Sequence, residues 1–198
     1  MATAAWDIAP IPSRGDPEAD VTYAAKGRGV SVWEEVEIAL SQLYAVLTGS
    51  PRLSREACQR YGEPLNFKDR LAGLEEAGAR YFVTHYNQAV EGEFAALVER
   101  TGRLSVRRNE LTHSWVQPIQ FEKSHQRLGS EEDQWATRWG YFLVPPTYRS
   151  RKFDPADRPL FIYTSREILE YASQFTCLKS DIERFATALE MPGLRSLL

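Results

Sequence analysis

The last helix that the sequence announces limits the fold more than any other stretch. Thr164 is followed three residues later by Glu167, the spacing of a capping box, and Ile168, Ala172, Phe175, Leu178, Ile182, Phe185 and Leu189 then recur at steps of three and four. Pro192 and Gly193 are placed to close it. A helix with one continuous apolar seam must bury that seam against other elements. Matching seams exist. Ser31 and Glu34 form a second capping box, ahead of Trp33, Val36, Leu40, Leu43, Tyr44 and Leu47, in a run that stops at "TGSP", residues 48–51. A short helical turn over "SREACQRYG" ends at Gly62, and Asn66 is placed to cap a helix in which Phe67, Leu71, Leu74, Gly78, Tyr81 and Phe82 share a face. From about Gln88 a further run puts Phe94, Leu97, Val98, Thr101, Leu104, Arg108, Leu111 and Trp115 on one stripe, with Pro118 as its end. Gly102 within it costs only about 1 kcal/mol against Ala and does not force a break.

Two regions do not follow this pattern. Residues 1–29 contain Pro10, Pro12, Pro17, Gly15, Gly27 and Gly29 without periodicity, which predicts a loosely held N-terminal arm pinned by Trp6 and Ile8. The segment 120–135 is polar. Beyond it, the apolar runs "WGYFLVPPTY" and "PLFIYT" flank the basic stretch "RSRKFDPADR" and predict a minor extended or hairpin insertion near 139–164. The expected organisation is therefore an all-α fold: a flexible arm over 1–29, then a single helical domain over 30–198 that carries the insertion.

At 198 residues and 43% hydrophobic content the chain can bury a substantial core. A formal net charge of −3 argues against bulk attraction to nucleic acid, so any polynucleotide contact must be local. The cations are mostly Arg, whose rigid fork grips phosphate or carboxylate, although a GC-rich genome would give the same usage. Cys58 and Cys177 lie far apart, outside any CxxC or Cys/His cluster, and read as core thiols rather than as a disulfide or zinc site. The first twenty residues carry Asp7, Asp16, Glu18 and Asp20 and no unbroken apolar core, so no secretory signal is expected. No apolar run reaches membrane-spanning length, and a cytoplasmic protein without membrane contact is the expectation. Phosphate-cradling glycine loops, the nucleophile elbow and the zinc-protease motif are all missing from the sequence, so no cofactor or metal is expected.

Three histidines remain. His85 ends the third helix, where a cation complements the dipole, and His125 sits in the polar segment without an evident partner. His113 differs, because "RNELTH", Arg108 to His113, puts polar groups on a helix that should bury something. Asn109 and His113 are four apart and share a face. Arg108 lies about 140° around from His113, so the two converge most readily when a second copy of the helix is brought up across a two-fold axis.

"RNELTH" resembles the signature of the HEPN family, an Arg followed after four to six residues by His, often with a polar residue directly after the Arg. "RYFVTH", Arg80 to His85, has the same spacing but places Tyr81 after the Arg. The resemblance favours Arg108 for its Asn109, its setting in a long late helix, the following Trp115 and the capped terminal helix. It implies a HEPN-like helical bundle that dimerises through the motif helix and acts as a metal-independent endoribonuclease of toxin or defence type. RNA would be its substrate, and an antitoxin or other protein its partner. Arg108, Asn109 and His113 would be the catalytic set, His113 moving protons at the 2′-hydroxyl or leaving oxygen and Arg108 stabilising phosphoryl charge. Arg107, Arg149, Arg151 and Lys152 would supply phosphate contacts. The alternative is a non-catalytic HEPN-like dimerisation or protein-interaction module, in which Arg108 and Asn109 tie helices together and His113 bonds a backbone carbonyl.

Overall fold

The computed structural model describes residues 6–120 and 139–191. Among them the chain is mostly helical, with five α-helices and one antiparallel hairpin: α1 (Ala19–Leu47), α2 (Arg55–Gly62), α3 (Phe67–Thr84), α4 (Gln88–His113), β1 (Trp115–Gln120), β2 (Trp139–Val144) and α5 (Ser165–Glu190), with a 3-10 turn at Ser150–Lys152. His125, Pro192 and Gly193 lie outside the described residues. The chain divides into two compact units, each discontinuous in sequence: residues 1–31 with 107–173, and residues 32–106 with 174–198.

The second unit follows the sequence closely. Trp33 is wholly buried with its ring edge-on to Phe67 and Phe175, at centroid separations of 5.3 and 5.1 Å. Phe94 packs between Phe82 and Phe185. Asn66 caps α3 by accepting the Asp69 N–H at 2.9 Å, and Ser54 caps α2 through Ala57. Glu37 gathers donors from three side chains: the Tyr61 hydroxyl, the Trp33 indole and the Nε and Nη2 of Arg70. Burial together with that carboxylate pushes the Tyr61 phenol up from its ordinary value. α4 passes through Gly102 unbroken. Cys177 is exposed and Cys58 half-buried, so the expectation of two core thiols is corrected; Cys177 sits beside the α5 seam, not on it.

The first unit departs from expectation in three places. α1 begins at Ala19 rather than at Ser31, and residues 19–29, expected to belong to a flexible arm, are helical. Gly29, read as a breaker, is buried where a Cβ would come within 3.0 Å of Leu111, so its lack of a side chain admits close packing. The extended element also starts earlier than predicted. Trp115 to Gln120 leave the helical stripe and pair antiparallel with residues 139–144, Trp115 opposite Val144. Pro118 does not end a helix but sits in β1, an edge strand where its missing N–H is tolerated. The second predicted run, "PLFIYT", contributes only isolated bridges, Tyr163 to Leu143 and Pro159 to Phe153.

The third departure is Asp16. Its backbone exchanges two 2.9 Å hydrogen bonds with Tyr141, while its carboxylate accepts from the Thr22 hydroxyl and from both the N–H and hydroxyl of Ser165. Asp16 thus caps α5 and holds the start of α1 at once. Glu167 reaches back to the Thr164 N–H at 2.8 Å, as the capping box requires. Gly140, at φ 114°, is required here twice over: its backbone is left-handed, and a Cβ would lie 2.8 Å from the Asp16 carbonyl oxygen. Further along the N-terminal segment, the Tyr171 hydroxyl donates to the Asp7 carbonyl and accepts from the Ala9 N–H. Ile11 packs on Ile119, Phe142, Val144 and Ile162.

Candidate functional site

The end of α4 presents two faces with different chemistry. On the inner face, Leu104, Arg107, Glu110, Leu111 and Ser114 are buried, so the stripe steps by three from Leu104 to Arg107 and leaves Arg108 half-exposed. Arg107 and Glu110 are only 7% and 4% exposed and form an ion pair at 3.1 Å. The Tyr163 hydroxyl donates to Glu110 at 2.7 Å and accepts from Arg107 at 3.2 Å; Lys152 approaches the other carboxylate oxygen at 3.5 Å. Burial, then the Glu110 charge, pushes the Tyr163 phenol up, so it stays a donor. Arg107 therefore leaves the phosphate-binding set: its guanidinium is committed to neutralising a buried carboxylate. Lys152 is turned the same way, its ammonium also lying 5.7 Å from the Phe161 ring centroid. Arg151 is exposed on the 3-10 turn.

On the outer face His113 is the last residue of α4 and is exposed. It borders a cleft of about 520 Å³ lined also by Thr112, Ser114, Trp115, Pro146, Thr147 and Tyr148. Arg108 donates to the Asn109 side-chain oxygen at 3.1 Å, and Thr112 bonds back to the Arg108 carbonyl. Lys26, from α1, donates to the Ser114 carbonyl at 2.7 Å, and burial lowers its pKa. A helix C-terminus ordinarily favours a protonated imidazole. Here the reverse holds: partial burial, then the charges of Arg149, Arg108 and Lys26, lower the His113 pKa from its ordinary 6.5. The lowered pKa favours the uncharged imidazole, which can take a proton, and the cations that contribute to it are groups that attract an anion.

Of the residues singled out from sequence, Arg108 bonds Asn109 and the charges of Arg108 and Arg149 act on His113, whereas Arg107 and Lys152 face the internal carboxylate. Lys26 and Tyr148 were missed. Lys26 sits in the stretch read as an arm, and Tyr148 was one more aromatic in an apolar run; only tertiary placement sets them here. Glu110 did carry a signal, an acid three residues after an Arg on the buried side of a helix.

The other Arg-x4-His pair is built differently. Arg80 pairs with Glu76 one turn back in the open, and the His85 ring stacks on Tyr81 at 4.2 Å while its Nδ1 meets the Tyr81 carbonyl at 3.1 Å, closing the end of α3. A cavity of about 610 Å³ in the second unit, between Val90, Leu97 and Phe185, has its cations Arg100 and Arg184 paired to Asp181 and contains no histidine. Among the described residues no three His, Cys, Asp or Glu side chains gather as a metal-holding group, and no helix is long and apolar enough to cross a membrane. Compared with family models, with curated proteins and with solved structures, the chain matches none.

Proposed function

We propose that the chain is a HEPN-like endoribonuclease that works without a metal ion, with Arg108, Asn109 and His113 as its catalytic set, paired with a second copy through α4. The observation that carries this reading is the neutral-leaning His113 at the mouth of a cleft, under the combined field of Arg149, Arg108 and Lys26. Such a group suits the first step of RNA transesterification. The imidazole takes the proton of a 2′-hydroxyl, the 2′-oxygen attacks the adjacent phosphorus, and the 5′-oxygen leaves with a proton from the second copy's imidazole or from water. The guanidinium of Arg108, steered by Asn109, and that of Arg149 stabilise charge on the phosphoryl oxygens. Arg151, exposed on the 3-10 turn, is kept in this proposal as a phosphate contact. A toxin or defence role with an antitoxin partner belongs to the same proposal.

The test is RNA cleavage in excess EDTA with end-group analysis. The wild type should leave 2′,3′-cyclic phosphate and 5′-hydroxyl ends, and His113→Ala and Arg108→Ala should each abolish them while keeping the wild-type circular dichroism spectrum. Undiminished cleavage in either variant overturns the assignment. A wild type that dimerises or captures a protein partner but never turns over RNA identifies a non-catalytic interaction module instead.

A further inference from the structure

We infer that Trp115 and Tyr148 form a base-binding subsite beside His113 that accepts one unpaired nucleobase of a nucleic-acid strand. The inference rests on the nucleic-acid reading of the cleft and adds to it the part of the ligand that carries no charge. Trp115 is the first residue of β1, fixed by pairing opposite Val144, yet its indole remains 49% exposed. Tyr148 follows Pro146 and Thr147 in a turn closed by the Arg149 N–H on the Pro146 carbonyl at 3.0 Å, and it is 81% exposed. Trp115 and Tyr148 both line the cleft that His113 borders.

His113 lies two residues before Trp115, and Arg149 directly follows Tyr148, so each ring is close in sequence to a group suited to phosphate chemistry, and of these two groups His113 lines the cleft itself. Rings with cations nearby are the arrangement that holds single strands: cations such as Arg149 and Arg108 meet the backbone and each ring offers a face to a base. The cleft volume, about 520 Å³, falls within the roughly 300–1,000 Å³ of small-ligand pockets and suits one nucleoside rather than a helix. A base inside a duplex is stacked and paired, and reaches such a cleft only after extrusion. The positive field at His113 supplies the complementary charge for the flanking phosphates.

Fluorescence anisotropy of the full chain with a short labelled 2′-O-methyl oligonucleotide, which resists transesterification, tests this directly. The single strand should bind at least about tenfold more tightly than the same sequence in a duplex. Tyr148→Ala and Trp115→Ala should each weaken single-strand binding about tenfold and leave duplex binding unchanged, while Trp115→Phe, which keeps a ring, stays within about threefold of wild type. A 2′-deoxy strand of the same sequence should respond to the ring variants in the same way, because the subsite reads a base face and not the ribose. Equal affinity for duplex and single strand, ring variants that bind like wild type, or no binding of any strand overturns the inference. The two readings fail separately. If ring-dependent binding persists but no RNA is cut, the ribonuclease falls and the subsite stands; if cleavage needs His113 while the ring variants bind normally, only the subsite falls.

Discussion

Arg80 to His85 and Arg108 to His113 have the same spacing on the same kind of element, and the structure treats them in opposite ways. The first pair is spent locally: Arg80 answers Glu76, and His85 stacks on Tyr81 and closes its own helix. In the second, the His113 ring lies under the field of cations drawn from α1, α4 and the turn after β2, at the edge of a cleft. Spacing along a helix brings two side chains within reach of each other but does not decide what else reaches them. The surroundings make a site, and those surroundings come from residues distant in sequence.

The largest expected break in this comparison is catalytic. His113→Ala should lower the rate of RNA cleavage by about 10²–10⁴-fold, the usual worth of a positioned proton-transfer group, whereas His85→Ala should stay within about twofold. Equal losses in the two variants would erase the distinction. Next is stability. Glu110→Ala strips a buried guanidinium of its carboxylate and should cost about 3–5 kcal/mol in urea unfolding. Glu76→Ala, on the exposed pair, should leave the midpoint where it was; a Glu110→Ala protein as stable as wild type would mean that the inner network is not what holds the end of α4.

A smaller effect is expected at the helix start. Asp16→Ala removes the acceptor for Ser165 and Thr22 and should cost about 1–2 kcal/mol, at the upper end for a cap because it also ties down α1, while Asn66→Ala at α3 should cost about 1 kcal/mol. Reversal of that order would show the Asp16 contacts to be weaker than their number suggests. The smallest effect is a shift in pH profile. His113 is held below 6.5, so as the pH falls cleavage persists past that value and is lost only when the imidazole protonates. Arg149→Ala withdraws one of the cations and should move the acid-side midpoint of kcat/KM upward by a fraction of a unit; Arg80→Ala should not move it. A downward shift in Arg149→Ala would contradict the electrostatic account.

Helical periodicity and local caps were legible in the sequence because they are short-range: the seam from Ile168 to Phe185, the Asn66 cap and the passage of α4 through Gly102 all appear as read. Where two periodic continuations were equally allowed, the pattern could not choose. From Leu104 a step of four leads to Arg108 and a step of three to Arg107; Glu110 and Tyr163 select Arg107, because together they satisfy its buried charge. The same stripe appeared to run on through Trp115, although the chain turns to strand at Ser114 and pairs with residues beyond a long polar segment. Asp16 and Lys26 were invisible for a related reason. Their partners, Ser165 and Ser114, are 149 and 88 positions away, and nothing near either residue announces them.

The bond between Asp16 and Ser165 also sets an order of events for the emerging chain. At about 5–20 residues per second, the carboxylate that caps α5 leaves the ribosome many seconds before the N–H it is to receive, and during that interval only water and the nearby Thr22 hydroxyl can serve it. Both units close on residues from the last third of the sequence, so the first completes no sooner than the second can begin to. A nascent chain stopped ahead of Ser165 would hold α1, α2, α3 and α4 without α5, and would depend on chaperones in proportion to how long it waits.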